Sequence, residues 1–337
     1  MKTSINTLTA LGQKMAALAS DPSIDSDFEA LLKKVQLSNG WFTREQITTA
    51  LLAWSKALHR EKLMQWLAPY ASTDQPKIVG LILAGNIPFV GLHDLLCIWV
   101  SGHLAKVKCA TKDPYLLPWL VSLLETLSPA DQGRIQFVDR LESYDAVIAT
   151  GSNNSARYFE HYFAAVPHLI RRNRNAVAVL DGTETAEQYT ALGDDILRYY
   201  GLGCRNVSKV FLPYDFDLDL IFGGLYPYQS VMENQKYANN YDYNKAVFLM
   251  SEFDFLENGF FMLRECSDWA APIACLHYEY YDSLERLSPL LLQNQEQIQC
   301  TISHLDVPKD IALGQAQEPE LWQYADGVDT LAFLQQL

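Results

Sequence analysis

Residues 78–113, IVGLILAGNIPFVGLHDLLCIWVSGHLAKVKCATKD, decide the fold class. Ile78 to Ala84 is a short apolar run closed by Gly85-Asn86, a pair that favours a sharp turn. Gly91 to Gly102 then fits a helix, and Ala105 to Cys109 is a second short strand. Strand, helix and strand in so short a span form the repeating unit of a parallel α/β sheet.

The rhythm continues outward. Ile135 to Val138, Ala146 to Thr150 and Ala176 to Asp181 read as strands, with helices at Pro114 to Leu127, Asn154 to Ala164 and Glu184 to Tyr200. Beyond Cys204 the pattern loosens, and Ala246 to Ser251, Pro272 to Tyr278 and Ile298 to Ser303 read as strands. The first seventy or so residues read as a helical segment. There Thr43 and Gln46 have capping-box spacing, ahead of Ile47, Leu51, Leu52, Trp54 and Leu58 at helical intervals. A chain of 337 residues is expected to form two domains, and the change of rhythm near Asn173 to Asn175 divides it into 1–175 and 176–337.

Composition removes several function classes. A net charge of −14 opposes binding to a phosphate backbone, so no nucleic-acid partner is expected. No run of eighteen or so apolar residues is present to span a membrane, and the opening residues lack the apolar core of a signal peptide. The six cysteines (97, 109, 204, 266, 275, 300) have no zinc-like spacing, so no metal is expected. They read as free thiols of a reducing, cytoplasmic compartment. Two basic clusters offer sites for an anion: Lys106, Lys108 and Lys112, and Arg171, Arg172 and Arg174, the arginines reading equally as a solvated surface face.

Three strand-to-loop junctions carry the residues of chemical interest. At the first, Gly85 permits close ligand approach and Asn86 offers an amide, although the pair also reads as a plain turn. The second, Thr150-Gly151-Ser152 before a helix, presents either an anion site or a simple cap by Ser152 or Asn153. The third is Gly201-Leu202-Gly203-Cys204-Arg205-Asn206, where Cys204 is either a core thiol or a nucleophile favoured by Arg205 and Lys209. His93, His161 and His168 read as structural, on helix surfaces. Tyr278, Tyr280 and Tyr281 read as an acyl pocket or as a half-buried strand edge.

Taken in order, four blocks resemble the aldehyde dehydrogenase superfamily, and within it the LuxC-type acyl-CoA reductases. They are residues 82–113, DAVIATGSNNSARYFEHYF (145–163), RRNRNAVAVL (171–180) and YYGLGCRNVSKVFLP (199–213). The resemblance implies a Rossmann-type cofactor domain within 1–175 and an α/β catalytic domain in 176–337. It makes Cys204 the nucleophile and Asn86 an oxyanion donor. Lys108, Thr150, Gly151, Ser152 and Asp268 become contacts of a nicotinamide cofactor, NADPH or alternatively NADH. Hydrolytic members carry a basic glutamate in a glutamate-leucine-glycine-glycine block. The corresponding stretch here, His168 to Asn175, has no carboxylate.

The implied activity is reduction of a (fatty) acyl-CoA, or an acyl group on a carrier protein, to an aldehyde through a Cys204 thioester. Oxidation of free aldehydes to acids and a non-catalytic place in an acyl-reducing complex are the alternatives. A homo-oligomer and an acyl-activating enzyme as partner are also implied.

Overall fold

The computed structural model describes residues 2–308 and 310–337 and divides the chain into two compact units, Met1–Asn173 with Glu318–Leu337, and Arg174–Gln317. The final twenty residues therefore return to the first unit, where the sequence division keeps them with the second.

The first unit begins with α1 (Lys2–Ser20), α2 (Ser26–Ser38), α3 (Arg44–Ala57) and α4 (Arg60–Leu67). Asp25 caps α2, and Thr43 caps α3 by accepting from the Gln46 N–H. Leu8, Leu11 and Met15 of α1 and Ile47 and Leu51 of α3 are fully buried, so these helices have their own core.

Then come β1 (Ile78–Ile82), α5 (Leu92–Ser101), β2 (Leu104–Lys108), α6 (Leu116–Leu127), β3 (Ile135–Phe137), β4 (Ala146–Thr150), α7 (Asn153–Tyr162) and β5 (His168–Arg171). The five strands form a wholly parallel sheet in the order β3-β2-β1-β4-β5. Val79, Leu81, Val107, Val147 and Ile148 are buried to the last square ångström, as expected for strands covered on both faces.

The second unit holds β6 (Asn175–Val179), α8 (Ala186–Leu197), β7 (Val207–Leu212), α9 (Asp219–Leu225), α10 (Gln235–Met250), β8 (Leu256–Glu257), β9 (Met262–Glu265), β10 (Cys275–Tyr280), α11 (Leu284–Gln293), β11 (Ile298–Ile302) and β12 (Asp310–Ile311). Its sheet runs β12-β11-β6-β7-β10-β9-β8, parallel except for the β8–β9 pair. Val177, Val179, Phe211, Leu287, Leu291, Ile298 and Val307 make one core cluster. The chain then re-enters the first unit and ends in α12 (Thr330–Leu334).

Ala246 to Ser251 is a helix end, not a strand: it forms the last turns of α10. Asn234 starts that helix by accepting from the Lys236 and Tyr237 N–H groups, and Tyr237, Tyr241 and Phe248 share its buried face. The apolar run that suggested a strand is in part solvent-facing, with Met250 86% exposed.

Candidate functional site

In the first sheet the chain winds from β1 out to β3, then crosses back to lay β4 and β5 on the other side of β1. The loops leaving β1 and β4 therefore diverge, opening a crevice at the carboxyl edge, the usual ligand position in open α/β sheets. Gly85 and Asn86 leave β1, Lys108 ends β2, and Thr150, Gly151 and Ser152 join β4 to α7. The first unit thus gathers five predicted residues, Asn86, Lys108, Thr150, Gly151 and Ser152, on one edge.

Asn86 is exposed. The turn beyond it is set by Phe89, buried and left-handed at φ 59°, whose ring meets Trp119 at 6.5 Å. Ser152 caps α7, its hydroxyl accepting from the Ser155 N–H at 3.3 Å. Gly151 lies so close to α7 that a Cβ would come within 2.8 Å of the Ser155 Cβ. Lys106 is committed elsewhere, donating to the Glu142 and Ser143 carbonyls, while Lys108 and Lys112 stay exposed. A crevice at the strand-order reversal and a helix N-terminus beside it are the features that receive a dinucleotide pyrophosphate, so these residues fit a nicotinamide cofactor.

The arginine run is not the anion cluster that the sequence suggests. Arg171 is buried at the end of β5, where it grips Asp94 and donates to the Ala325 carbonyl and the Thr330 hydroxyl. Arg172 pairs with Glu160, and Arg174 donates to the Gln295 carbonyl. His93 is likewise no surface residue. Its ring packs against Trp66 and Tyr324, and its Nε2 lies 2.8 Å from the Leu321 carbonyl. Burial pushes its imidazole below the ordinary range.

In the second unit the chain leaves α8 through Tyr199 and Tyr200, both buried and left-handed at φ 54° and 58°. For residues with a Cβ this conformation costs about 1–2 kcal/mol each. It turns the chain back toward the sheet, where residues 203–206 make a tight turn just before β7. The Asn206 N–H donates to the Gly203 carbonyl at 3.1 Å, and the Gly203 N–H donates to Asn206 Oδ1 at 2.7 Å. Cys204 and Arg205 are the two central residues of this turn, and Cys204 is partly exposed. Arg205 Nε donates to the Ala316 carbonyl.

Lys209, which the sequence offers as a group that could favour the thiolate, has its ammonium bonded to two groups of its own. It is buried, bonded to the Ser267 carbonyl at 2.8 Å and to Glu279 at 2.5 Å. With Ser208, which donates to the Trp269 carbonyl, and His277, whose Nδ1 meets the Asp268 carbonyl at 3.2 Å, it pins the loop after β9. Asp268 is exposed on that loop, so its segment is tied to the strand that Cys204 leads into.

Among the described residues, Asp181, Glu184 and His304 bring metal-ligating atoms within 4.8 Å of one another. Both Glu184 oxygens and one Asp181 oxygen accept hydrogen bonds. Glu184 accepts from the Asp181 and Gly182 N–H groups and from the Tyr189 hydroxyl, and Asp181 accepts from Thr183. The trio is better described as a staple between the loops after β6 and β11.

Sequence reasoning missed Asn206, whose side chain holds the cysteine turn. The available signal was a buried-type amide at the fourth position of a Gly-Cys-Arg-Asn turn.

No protein-family profile and no curated protein matches the chain. Solved structures do. Aldehyde dehydrogenase 21 from Physcomitrella patens, in complex with the reaction product succinate, superposes with a TM-score of 0.65 at 11% identity, over 98% of this chain and 84% of that one. An oxidoreductase from Marinobacter aquaeolei gives 0.65 at 11% identity, over 95% and 79%. The P. syringae indole-3-acetaldehyde dehydrogenase, in complex with NAD+ and IAA, gives 0.63 at 11%, over 89% and 71%. The fold is that of the aldehyde dehydrogenases.

Proposed function

We propose that this chain is an acyl-CoA reductase that forms a thioester on Cys204 and releases an aldehyde, with NADPH as hydride source and NADH as the alternative. The observation that carries this reading is Cys204 itself, held at the corner of a fully bonded turn on an aldehyde-dehydrogenase fold. In this reading the Cys204 thiolate attacks the acyl carbonyl and expels the CoA thiolate, which leaves as the free thiol after taking a proton. The Asn86 amide is assigned to the oxyanion, a role worth about 3–4 kcal/mol for a well-placed donor. Lys108, Thr150, Gly151, Ser152 and Asp268 are the proposed contacts of a reduced nicotinamide cofactor, which would supply the hydride. Cys204 recovers its thiolate as the aldehyde departs.

The preference for a thiol over water draws support from residues 168–175. The stretch where hydrolytic relatives are expected to hold a basic glutamate contains no carboxylate, and the arginine there, Arg171, occupies Asp94. A thioester without a water-activating base is better exchanged with a thiol than hydrolysed. A second reading, oxidation of free aldehydes to acids, draws support from the names of the structural neighbours. Intact-mass analysis after exposure to acyl-CoA tests the first reading. An acyl adduct present on the native chain and absent from Cys204→Ala is expected, and no adduct on the native chain would sink it. Aldehyde and oxidised cofactor without CoA should yield almost no acid, whereas steady acid production favours the second.

A further inference from the structure

We infer that Asn206 is the positioning residue of the reactive thiol, an assignment that rests on Cys204 being the nucleophile. Asn206 is 2% exposed, and all four of its hydrogen-bonding groups are used. Its backbone N–H and its Oδ1 close the 203–206 turn from both sides, and its carbonyl accepts from the Ala176 N–H at the start of β6. Its Nδ2 reaches back to the carboxyl end of α8, meeting the carbonyls of Asp195 at 3.1 Å, Ile196 at 3.2 Å and Arg198 at 2.8 Å. One side chain therefore fastens the cysteine turn to a helix and, through its backbone, to the sheet.

The amide also answers an electrostatic difficulty. A helix carboxyl end carries about half a negative charge, and here it adjoins the turn whose cysteine must ionise. Asn206 Nδ2 covers those carbonyls with N–H donors. Of the charged groups nearby, Arg198 pairs with Asp194. Asp195 accepts from the Gly314 and Ala316 N–H groups, and burial pushes its carboxyl up to about 7. Arg205 binds the Ala316 carbonyl through Nε, while its Nη2 is buried without a hydrogen-bond partner. Asparagine suits the position because a single planar group must donate on one side and accept on the other. Aspartate keeps the acceptor and the shape but turns a carboxylate toward three carbonyls.

The test compares Asn206→Asp and Asn206→Ala with the native chain by the rate of Cys204 alkylation with iodoacetamide across pH, followed by the mass of the proteolytic peptide that holds Cys204. Asn206→Asp is expected to move the midpoint of the alkylation profile upward by about one pH unit or more, which a merely structural role would not do. Asn206→Ala is expected to slow alkylation at neutral pH by about tenfold, about 1.4 kcal/mol. Folded variants with native rates and midpoint overturn the assignment.

If neither variant folds, amide exchange of the 203–206 segment in the native chain decides. Protection comparable to β7 supports the clamp, and exchange as fast as an open loop refutes it. Alkylation needs no acyl substrate, so the absence of an acyl adduct on the native chain would remove the reductase reading while leaving this comparison intact.

Discussion

Arg171 and Asp94 meet as a two-point ion pair almost wholly out of water. Nε lies 2.9 Å from Oδ2 and Nη2 lies 2.6 Å from Oδ1, and the two side chains are 5% and 7% exposed. Burial acts to raise the Asp94 carboxyl, but the charge and hydrogen bonds of Arg171 outweigh it and hold it below the ordinary value. The pair joins the end of β5 to α5, and Thr330 and the Ala325 carbonyl add the returning C-terminal segment. Arg171→Leu should cost about 3–5 kcal/mol in denaturant unfolding, because it leaves a carboxylate buried without a partner. Arg171→Leu combined with Asp94→Leu should recover part of that loss. A double variant no better than the single one contradicts this account.

Two histidines tie the same C-terminal segment to the rest of the first unit, and His103 must be neutral to do so. His103 accepts from the Lys77 N–H at Nδ1 and lies 2.9 Å from the Leu334 carbonyl at Nε2, an arrangement that fixes one neutral tautomer. His93 meets the Leu321 carbonyl. Burial lowers both imidazoles from their ordinary values. The unfolded chain therefore binds protons that the folded chain refuses. The stability these groups contribute is present above about pH 6.5, the unfolded value, and is lost as pH falls through their lowered folded values. Urea titrations at about pH 7.5 and about pH 5.5 should show the loss, and His103→Gln should flatten the dependence by about one proton. An unchanged slope in that variant would rule out His103 as a contributor.

Physical reasons separate what was legible in the chain from what was not. β1, β4 and β6 were readable because each is an apolar run closed by turn residues, and burial on both faces demands such a run. β2 was readable from the alternation of buried Ala105 and Val107 with lysines. β5 and β7 were not, because their polar members are buried in pairs that lie far away in sequence. Arg171 of β5 is neutralised by Asp94, and Lys209 of β7 by Glu279 and the Ser267 carbonyl. The same long-range pairing commits the Arg171 guanidinium and the Lys209 ammonium to partners that a local reading cannot see. Cys204, Asn86 and the Thr150 turn stood out because turn residues at strand ends are a local signal. The return of Glu318–Leu337 to the first unit has no local signature.

Close packing of α9 on α8 gives a sharper test. Gly224 of α9 touches α8 so closely that a Cβ would lie 2.4 Å from the Tyr189 carbonyl oxygen, a backbone atom that yields only if the helix moves. Gly224→Ala should therefore destabilise by about 1–3 kcal/mol, the usual cost of overpacking. The adjacent Gly223 has open space at that position, so Gly223→Ala serves as the control. Equal melting temperatures for the two variants would refute the close contact.

Gly151 offers the corresponding test of the cofactor edge. A methyl there would press on the Ser155 Cβ at 2.8 Å and on a Phe159 ring carbon at 3.0 Å, both on α7. The cheapest relief is a small displacement of the start of α7, where Ser152 caps the helix and where backbone N–H groups and the helix dipole would meet a pyrophosphate. If the dinucleotide binds at this edge, Gly151→Ala should weaken its binding by about tenfold, about 1.4 kcal/mol, as read by titration of the free cofactor. Cys204 alkylation at the native rate would show that the second unit keeps its fold in this variant. Undiminished cofactor affinity in a folded Gly151→Ala protein would move the dinucleotide away from the β4–α7 turn and leave Lys108 without its assigned role.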